Sequence, residues 1–138
     1  MYTFFSKIIF VRRRYDNQLQ EELLPYGISV TQWGLMRYLK KNGTATFSDV
    51  ADYWQVEKPA ITPIAQKLAA RELILISSGT DKRQKIMYLS ESGEALHKKI
   101  METTDQFLEE IMEGVTEEER DVTEKALEKI LVNLMKRG

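Results

Sequence analysis

The chain lacks cysteine entirely and contains one histidine, His97. Without cysteine it can form neither a disulfide nor a thiolate metal site, and thiol-based redox sensing is excluded. His97 is followed by Lys98 and Lys99, and no nucleophile–base pair or phosphate-cradling glycine loop can be assembled around it. We therefore predict no enzyme activity, no catalytic residue, no metal site and no cofactor, and we interpret His97 as a surface or interface residue.

Long apolar runs are lacking as well. Lys7 interrupts the apolar N-terminal stretch well short of a membrane span, and Arg12, Arg13 and Arg14 follow that stretch instead of preceding it. This order is not that of a signal peptide. We predict no membrane partner and a cytoplasmic location, with which the absence of cysteine is consistent. An interfacial membrane helix, which uses aromatic residues and arginines, is the alternative to ordinary packing of this segment.

The middle of the chain carries the pattern of a helix-turn-helix. Thr46 and Asp49 form a capping box, which predicts a first helix over residues 47–54. A second helix is predicted over residues 58–72, with Glu57 as its cap. Its apolar residues recur at helical spacing and predict the buried face: Ile61, Ile64, Ala65 and Leu68.

Two prolines stand in this second helix. Pro59 lies in the first turn, where a missing N–H is tolerated because the donor has no intrahelical partner. Pro63 lies further in, and a proline in a helix interior costs up to about 3 kcal/mol. We expect a bend or a widened first turn at Pro63. The alternative is that Pro63 is simply tolerated near the start of the helix.

A β-hairpin, or wing, is predicted next. Residues 73–76 favour a strand, residues 77–80 interrupt it, and residues 86–89 resume it, so we place the wing at residues 77–88. Three cations and one acidic residue lie at or beside its tip: Lys82, Arg83, Lys85 and Asp81. A solvated charged loop is the alternative to a binding role for these cations. Residues 44–46 could add a short strand to the hairpin.

Further helices are predicted on both sides of the wing and helix-turn-helix. In the first, apolar residues recur every three or four positions: Phe4, Phe5, Ile8, Tyr15, Leu19 and Leu23. Ser29 and Gln32 form a capping box that opens the second. Ser90 caps the helix after the wing, and Thr116 with Glu119 opens the last one.

We therefore predict a mainly α fold with a minor β part, in one domain of residues 1–138. Its core is a winged helix-turn-helix with a small antiparallel wing at residues 29–90, between long helices at residues 1–28 and 91–138. A chain of this size cannot bury all of those apolar stripes against its own core, so a second copy, in a homodimer, is the predicted partner. The alternative is a monomer whose long helices fold back on themselves.

The charge distribution supports a nucleic-acid partner. The whole chain has a formal net charge of −1, but residues 1–54 carry +2, residues 55–90 carry +3 and residues 91–138 carry −6. The basic part, residues 55–90, contains the second predicted helix and the wing. A compact basic face in an otherwise acidic protein is typical of a sequence-selective binder of double-stranded DNA.

Two short motifs carry a family resemblance. Asp81-Lys82-Arg83 matches an Asp-x-Arg motif at a wing tip, and Leu89-Ser90-Glu91-Ser92-Gly93 matches Leu-Thr-x-x-Gly after the second wing strand. In this order and spacing the chain resembles the multiple-antibiotic-resistance regulator (MarR) family of winged-helix transcription factors, over essentially its whole length.

The resemblance implies a sequence-specific transcriptional regulator, a repressor, that binds an inverted-repeat operator as a homodimer. It would use recognition helix 58–72 and wing 77–88. The alternative is a winged helix that mediates protein–protein contact without specific DNA binding. The resemblance also implies a small aromatic or amphipathic effector in the crevice between the dimer helices and the winged module. No effector residues are assigned, because aromatic residues at helical spacing are more often core residues. The aromatic candidates are Tyr15, Tyr26, Trp33 and Tyr38.

Residue roles follow from the same resemblance. Arg83 matches the arginine that enters the minor groove, and Asp81 matches the acidic residue that orients it. Residues 58–63 match the start of the recognition helix, but prolines and an alanine replace its usual hydroxyls and arginine. We expect readout through thymine methyls, phosphates and groove shape. The predicted DNA-binding residues are Lys58, Pro59, Ala60, Thr62, Pro63, Gln66, Lys67, Asp81, Lys82, Arg83 and Lys85.

Overall fold

The computed structural model describes residues 1–78 and 84–138, so the predicted wing-tip residues Asp81, Lys82 and Arg83 lie outside the described residues. The helices and strands are α1 (Tyr2–Leu23), α2 (Val30–Asn42), β1 (Thr44–Thr46), α3 (Phe47–Trp54), α4 (Ile61–Ala70), β2 (Ile74–Ser78), β3 (Lys85–Leu89), α5 (Glu91–Ile111) and α6 (Glu117–Lys136). Short 3-10 turns occupy Leu24–Tyr26 and Lys58–Ala60. The predicted fold class, mainly helical with a small antiparallel sheet, is confirmed.

The chain divides into two compact units, residues 1–107 and residues 108–138. The first contains the helix-turn-helix and the sheet, and the second contains α6. The single-domain organisation stays a prediction. No helix in the described ranges is long and apolar enough to cross a membrane.

Capping boxes open α2, α3 and α6, as predicted. In each, the N-cap hydroxyl accepts the N–H of the residue three positions on, and that residue's side chain accepts the N-cap N–H. At α3 these bonds join Asp49 N to Thr46 Oγ1 at 3.0 Å and Thr46 N to Asp49 Oδ2 at 2.9 Å. The boxes were predictable because both bonds are made within one turn.

The sheet is antiparallel with the strand order β1-β3-β2. Met87 at its centre lies opposite Ala45 on one side and Ile76 on the other. The predicted break at residues 77–80 is wrong in its first half, since β2 continues through Ser77 and Ser78. Both serines pair with β3, and this pairing outweighs their weak preference for strands.

The core of the first unit lies between α2, α4 and the sheet. Leu35 and Met36 of α2 are fully buried, as are Ile61 and Leu68 of α4 and Met87 of β3. Helix α2 contacts α1, α4 and β3, which explains why adjacent residues on it are both buried.

Gly93 is required by a close approach of α5 to the chain that follows α4. A Cβ atom at this position would lie 1.9 Å from the Leu73 carbonyl oxygen. The same oxygen accepts the Ser90 N–H at 3.1 Å, and Ser90 Oγ caps α5 by accepting the Gly93 N–H at 3.0 Å. These contacts supply a physical reason for a hydroxyl residue and a glycine three positions apart at the start of α5.

The second unit contains the C-terminal helix. No residue of α6 is buried. Its apolar stripe is instead exposed, for example Val122 at 61% and Leu131 at 47%.

Candidate nucleic-acid interface

The recognition segment is built in two pieces. Gln55 ends α3 in the left-handed region at φ 58°, a 3-10 turn follows at residues 58–60, and α4 begins at Ile61. The prediction of one continuous helix over residues 58–72 is therefore wrong at both ends, since α4 also stops at Ala70. Glu57 precedes the 3-10 turn but its side chain makes no capping hydrogen bond, so its predicted capping role is wrong.

Pro63 is the third residue of α4. A proline there removes an N–H that would have no intrahelical partner, which fits the alternative of simple tolerance near a helix start; that alternative stays a prediction. The predicted widening of the first turn is wrong, because the preceding 3-10 turn is tighter than an α-helical one. A bend of the helix axis stays a prediction.

The two faces of this segment differ as predicted. Ile61, Ala65 and Leu68 are fully buried against the core. Thr62 is half-buried, and the other predicted contact residues of the segment are exposed: Lys58, Pro59, Ala60, Pro63, Gln66 and Lys67. Lys85, at the start of β3, is exposed too.

Hydrogen bonds hold the C-terminal end of the segment from two sides. Arg71 donates to the Gly27 carbonyl oxygen at 2.9 Å and to the Tyr26 carbonyl oxygen at 3.1 Å, which ties it to the loop before α2. Ser90 Oγ and Ser92 Oγ donate to the Glu72 carbonyl oxygen at 2.6 Å and 2.9 Å.

Arg71 contributes to the positive charge of residues 55–90, but its guanidinium donates to the backbone carbonyl oxygens of Gly27 and Tyr26. Sequence alone does not signal this, because the acceptors lie in a distant loop and carbonyl groups are present at every residue.

Sequence comparison shows which known proteins the chain is similar to. A MarR family model matches residues 26–84, from the turn before α2 to the residue before β3. The HTH-type transcriptional regulator FarR of Neisseria gonorrhoeae is 29% identical over 107 residues, which are 77% of this chain and 73% of that protein. The winged helix-turn-helix part of this chain is thus similar to the MarR family.

Solved structures show the same fold. NadR in complex with 4-hydroxyphenylacetate is 26% identical with a TM-score of 0.77, over 90% of this chain and 89% of that chain. A mutant MarR from E. coli complexed with operator DNA is 23% identical with a TM-score of 0.83, over 91% of both chains. The chain therefore has the fold of these regulators.

A cavity of about 1020 Å³ lies between α2, α3 and α5. Its wall includes Tyr38, which was one of the predicted effector candidates. Tyr15 instead contacts Phe107, with ring centroids 6.1 Å apart, and the Tyr26 hydroxyl bonds Thr103 Oγ1 at 2.5 Å.

His97 forms part of the wall and is buried, with 6% of its surface exposed. The expectation of a surface histidine is therefore wrong, and its role at an interface stays untested. Its ring stacks on Trp33 at a centroid distance of 4.9 Å, and its Nε2 has no hydrogen-bond partner among the described residues. Burial, followed by the charges of Arg37 and Lys40, lowers the pKa of His97, and the nearby Glu94 carboxylate partly opposes this.

Proposed function

We propose that this regulator represses transcription by binding an inverted-repeat operator as a homodimer, with the segment of residues 58–72 in the major groove. The observation that supports this most directly is the contrast between the two faces of α4. Ile61, Ala65 and Leu68 of its apolar face are fully buried, so a polar and cationic face is what it presents to a partner. Such a helix suits a major groove, which admits a helix and offers hydrogen-bonding base edges beside phosphates.

The residues on that face fall into chemical groups. Lys58 and Lys67 are point charges for phosphates, which position the protein without reading sequence. Gln66 and Thr62 carry hydrogen-bonding groups for base edges, and a glutamine suits adenine. Three small or apolar residues suit thymine methyls: Pro59, Ala60 and Pro63. A readout with few side-chain donors depends more on DNA shape.

The wing is proposed to read the neighbouring minor groove. By the family resemblance, Arg83 enters that groove and Asp81 orients it, with Lys82 and Lys85 near phosphates. Of these, Lys85 belongs to the described residues, where it is exposed opposite Ser78 at the base of the hairpin. A narrow, A·T-rich minor groove attracts arginine through its enhanced negative potential.

The homodimer is supported by apolar surface on the terminal helices. Phe5 and Phe10 of α1 are 42% and 59% exposed, and Leu131 of α6 is 47% exposed. Surfaces of this kind at regular helical spacing indicate a protein partner, and a second copy is the simplest one. Two recognition helices related by a two-fold axis would meet half-sites about 34–36 Å apart.

An effector completes the proposal. NadR, which shares the fold, was solved with 4-hydroxyphenylacetate. We propose that a small aromatic or amphipathic molecule likewise controls DNA binding by this regulator, by changing the separation of its two recognition helices.

A DNA titration tests the proposal. The purified protein is titrated with its own upstream intergenic DNA and with a scrambled duplex, at two salt concentrations, while light scattering reports stoichiometry. We expect one dimer per duplex, much tighter than on the scrambled DNA, with affinity that falls as salt rises. Equal, weak binding to both duplexes, together with no enriched motif in a genome-wide selection of bound DNA, would favour a winged helix for protein–protein contact.

Substitutions locate the contacts within that complex. Arg83→Ala should weaken operator binding and relax the preference for A·T-rich flanks. Thr62→Ala should reduce total affinity less but alter base preference at one position in a randomised-site selection. Lys129→Ala on α6 is the matched control for loss of a positive charge. If Arg83→Ala left affinity and salt dependence unchanged, the wing would have no place in the mechanism.

A further inference from the structure

Arg71, the residue directly after α4, bridges two successive backbone carbonyls. Its Nη1 donates to the Gly27 carbonyl oxygen at 2.9 Å and its Nη2 donates to the Tyr26 carbonyl oxygen at 3.1 Å. These carbonyls lie at the end of the 3-10 turn Leu24–Tyr26, where carbonyl groups lack partners within the turn. Hydrogen bonds from a charged donor are stronger than neutral ones, and the planar guanidinium spans both acceptors at once.

Tyr26 connects this pair of bonds to α5. Its backbone carbonyl accepts from Arg71, and its side-chain hydroxyl lies 2.5 Å from Thr103 Oγ1 in the middle of α5. The Tyr26 ring is partly buried against the hydrophobic core, which restricts where the hydroxyl can lie. One residue therefore joins the end of the recognition segment to the middle of α5.

A second attachment joins the same end to the start of α5. The Glu72 carbonyl oxygen accepts from Ser90 Oγ at 2.6 Å and from Ser92 Oγ at 2.9 Å. Glu72 itself has a φ of 59°, in the left-handed region that is uncommon for a residue other than glycine. Such a conformation persists where the surrounding contacts hold it.

The two attachments lie far apart on α5. Thr103 is 11 residues beyond Ser92, which corresponds to about 16 Å along the axis of an α-helix. Among the described residues, α4 packs closely against α2, α3 and β2 and not against α5. A single attachment would leave the recognition segment free to swing about one point of α5, whereas two attachments at this separation fix its angle.

We propose that Arg71 and Tyr26 are positioning residues, which clasp the end of the recognition segment to the middle of α5 and so fix the angle at which the segment meets DNA. In a dimer this angle sets the separation of the two recognition segments, and therefore the half-site spacing that the protein accepts. Neither residue contacts DNA. The clasp needs only this chain, whereas its effect on half-site spacing rests on the proposed function.

Three variants open the clasp to different degrees. Arg71→Gln removes the guanidinium, Arg71→Lys keeps the charge but not the planar fork, and Tyr26→Phe removes only the hydroxyl that meets Thr103. Because Arg71 and Tyr26 act in series, combining Arg71→Gln with Tyr26→Phe should give about the effect of the stronger single change. Arg14→Gln, at an exposed position of α1, is the matched control for loss of a guanidinium.

The first measurement needs no DNA. Because the chain lacks cysteine, Lys67→Cys on α4 and Glu102→Cys on α5, both at exposed positions, introduce the only sites for a pair of spin labels. Labelled protein is mixed with an excess of unlabelled protein, so that pulsed EPR reports the distance between α4 and α5 within one chain. We expect one narrow distance distribution with the clasp intact and in Arg14→Gln. Arg71→Gln and Tyr26→Phe should lose it to a broader one, with Arg71→Lys in between.

The second measurement varies the operator. The inverted repeat that the unchanged protein selects is remade with its half-sites one base pair closer and one base pair further apart. Arg71→Gln and Tyr26→Phe should reduce the difference in affinity between these spacings by about 2- to 30-fold, as is typical of residues that couple two sites without touching either ligand. Their salt dependence should stay unchanged, because no phosphate contact is lost. Loss of stability alone would lower the active fraction on all spacings equally.

Three results would overturn the proposal: a distance distribution that stays narrow in Arg71→Gln and Tyr26→Phe, an unchanged spacing preference in both, or a weaker salt dependence in Arg71→Gln, which would make Arg71 a phosphate contact. Failure of the proposed function looks different. The unchanged protein would then bind its own upstream DNA and the scrambled duplex equally, while broader distance distributions in the variants would still support the clasp.

Discussion

Helices α4 and α6 both carry an apolar stripe at helical spacing, but the stripe of α4 is buried and the stripe of α6 is exposed. Ile61, Ala65 and Leu68 of α4 are fully buried, whereas Leu131 and Leu134 of α6 are 47% and 58% exposed. The difference lies in what each stripe meets. Helix α4 packs against α2 and α3 within one chain, while α6 has no buried residue at all. An apolar stripe therefore predicts that a helix needs a partner but not which chain supplies it.

The two helices also differ in how they are held. Hydrogen bonds between distant parts of the chain fix the end of α4. Arg71 donates to the Gly27 carbonyl oxygen, and the hydroxyls of Ser90 and Ser92 donate to the Glu72 carbonyl oxygen. The described contacts of α6 are local, namely its capping box and the bond from Thr123 Oγ1 to the Glu119 carbonyl oxygen. This contrast suits a recognition element positioned by its own chain and a terminal helix completed by a second copy.

The largest effect should come from a charge placed in the α6 stripe. Leu131→Asp would bury a carboxylate in the proposed dimer interface, and an uncompensated buried charge costs about 3–5 kcal/mol. We expect light scattering to show a monomer and operator affinity to collapse. Glu128→Gln, on the polar side of α6, is the control and should stay dimeric. A Leu131→Asp protein that remains a dimer would mean that α6 is not part of the interface.

The next effect should come from the contact that positions α5 against the end of the recognition segment. Gly93→Ala would place a Cβ 1.9 Å from the Leu73 carbonyl oxygen, so backbone must shift. Overpacking of this kind costs about 1–3 kcal/mol or more. Denaturant unfolding should show the loss. Ser92→Ala is the neighbouring control, because position 92 already has a Cβ and the change removes only the hydroxyl's bonds to the Glu72 carbonyl oxygen and to Ser90 Oγ, each worth about 1 kcal/mol. Equal stabilities of the two variants would contradict the close approach.

A smaller effect is expected on the exposed side of α4. Lys67→Ala should weaken binding roughly equally on all DNA sequences and reduce the slope of log affinity against log salt by about 1, as for one lost phosphate contact. Its stability should stay within about 0.5 kcal/mol, since the side chain is exposed. Affinity measured at several salt concentrations tests this, with Lys125→Ala of α6 as control. An unchanged slope would place Lys67 away from the DNA backbone.

The smallest expected effects are on the pH dependence of stability, which should differ between the two units. Burial lowers the pKa of His97 below its usual 6.5, so the unfolded chain binds the proton more strongly. The first unit should thus lose stability as pH falls below 6.5, until the folded histidine is also protonated.

In the second unit, the Thr116 N–H bond lowers the pKa of the Glu119 carboxyl below 4.5. Its contribution is present above that value and lost only at lower pH. His97→Phe should remove the first pH dependence and leave the second. Unfolding curves across this pH range check both, and an unchanged dependence in His97→Phe would assign it to another group.

The elements of the fold were largely predictable, and the physical reason is their local origin. Capping boxes at Ser29, Thr46 and Thr116 involve residues three apart, and the stripe of α4 repeats within ten residues. Errors arose where a distant segment decided the outcome. Pairing with β3 extended β2 through Ser77 and Ser78.

The candidate site divides in the same way. Which side of α4 is exposed followed from spacing, and Lys58, Thr62, Gln66 and Lys67 lie where the spacing placed them. Their contacts with DNA remain predictions. The burial of His97 could not be predicted from the adjacent residues. Lys98 and Lys99 indicated an exposed position, but the His97 ring packs against Trp33 of another helix.

By itself the sequence determined where helices begin, which of their faces are apolar, where positive charge accumulates and which family the motifs resemble. These depend on residues within one or two turns of each other. The tertiary structure alone decided that Arg71 donates hydrogen bonds to backbone carbonyls and that Gly93 must lack a side chain. It also brought a histidine and four basic residues together at one cavity. Such features arise when segments far apart in the chain pack against each other, and no local sequence pattern indicates which segments will do so.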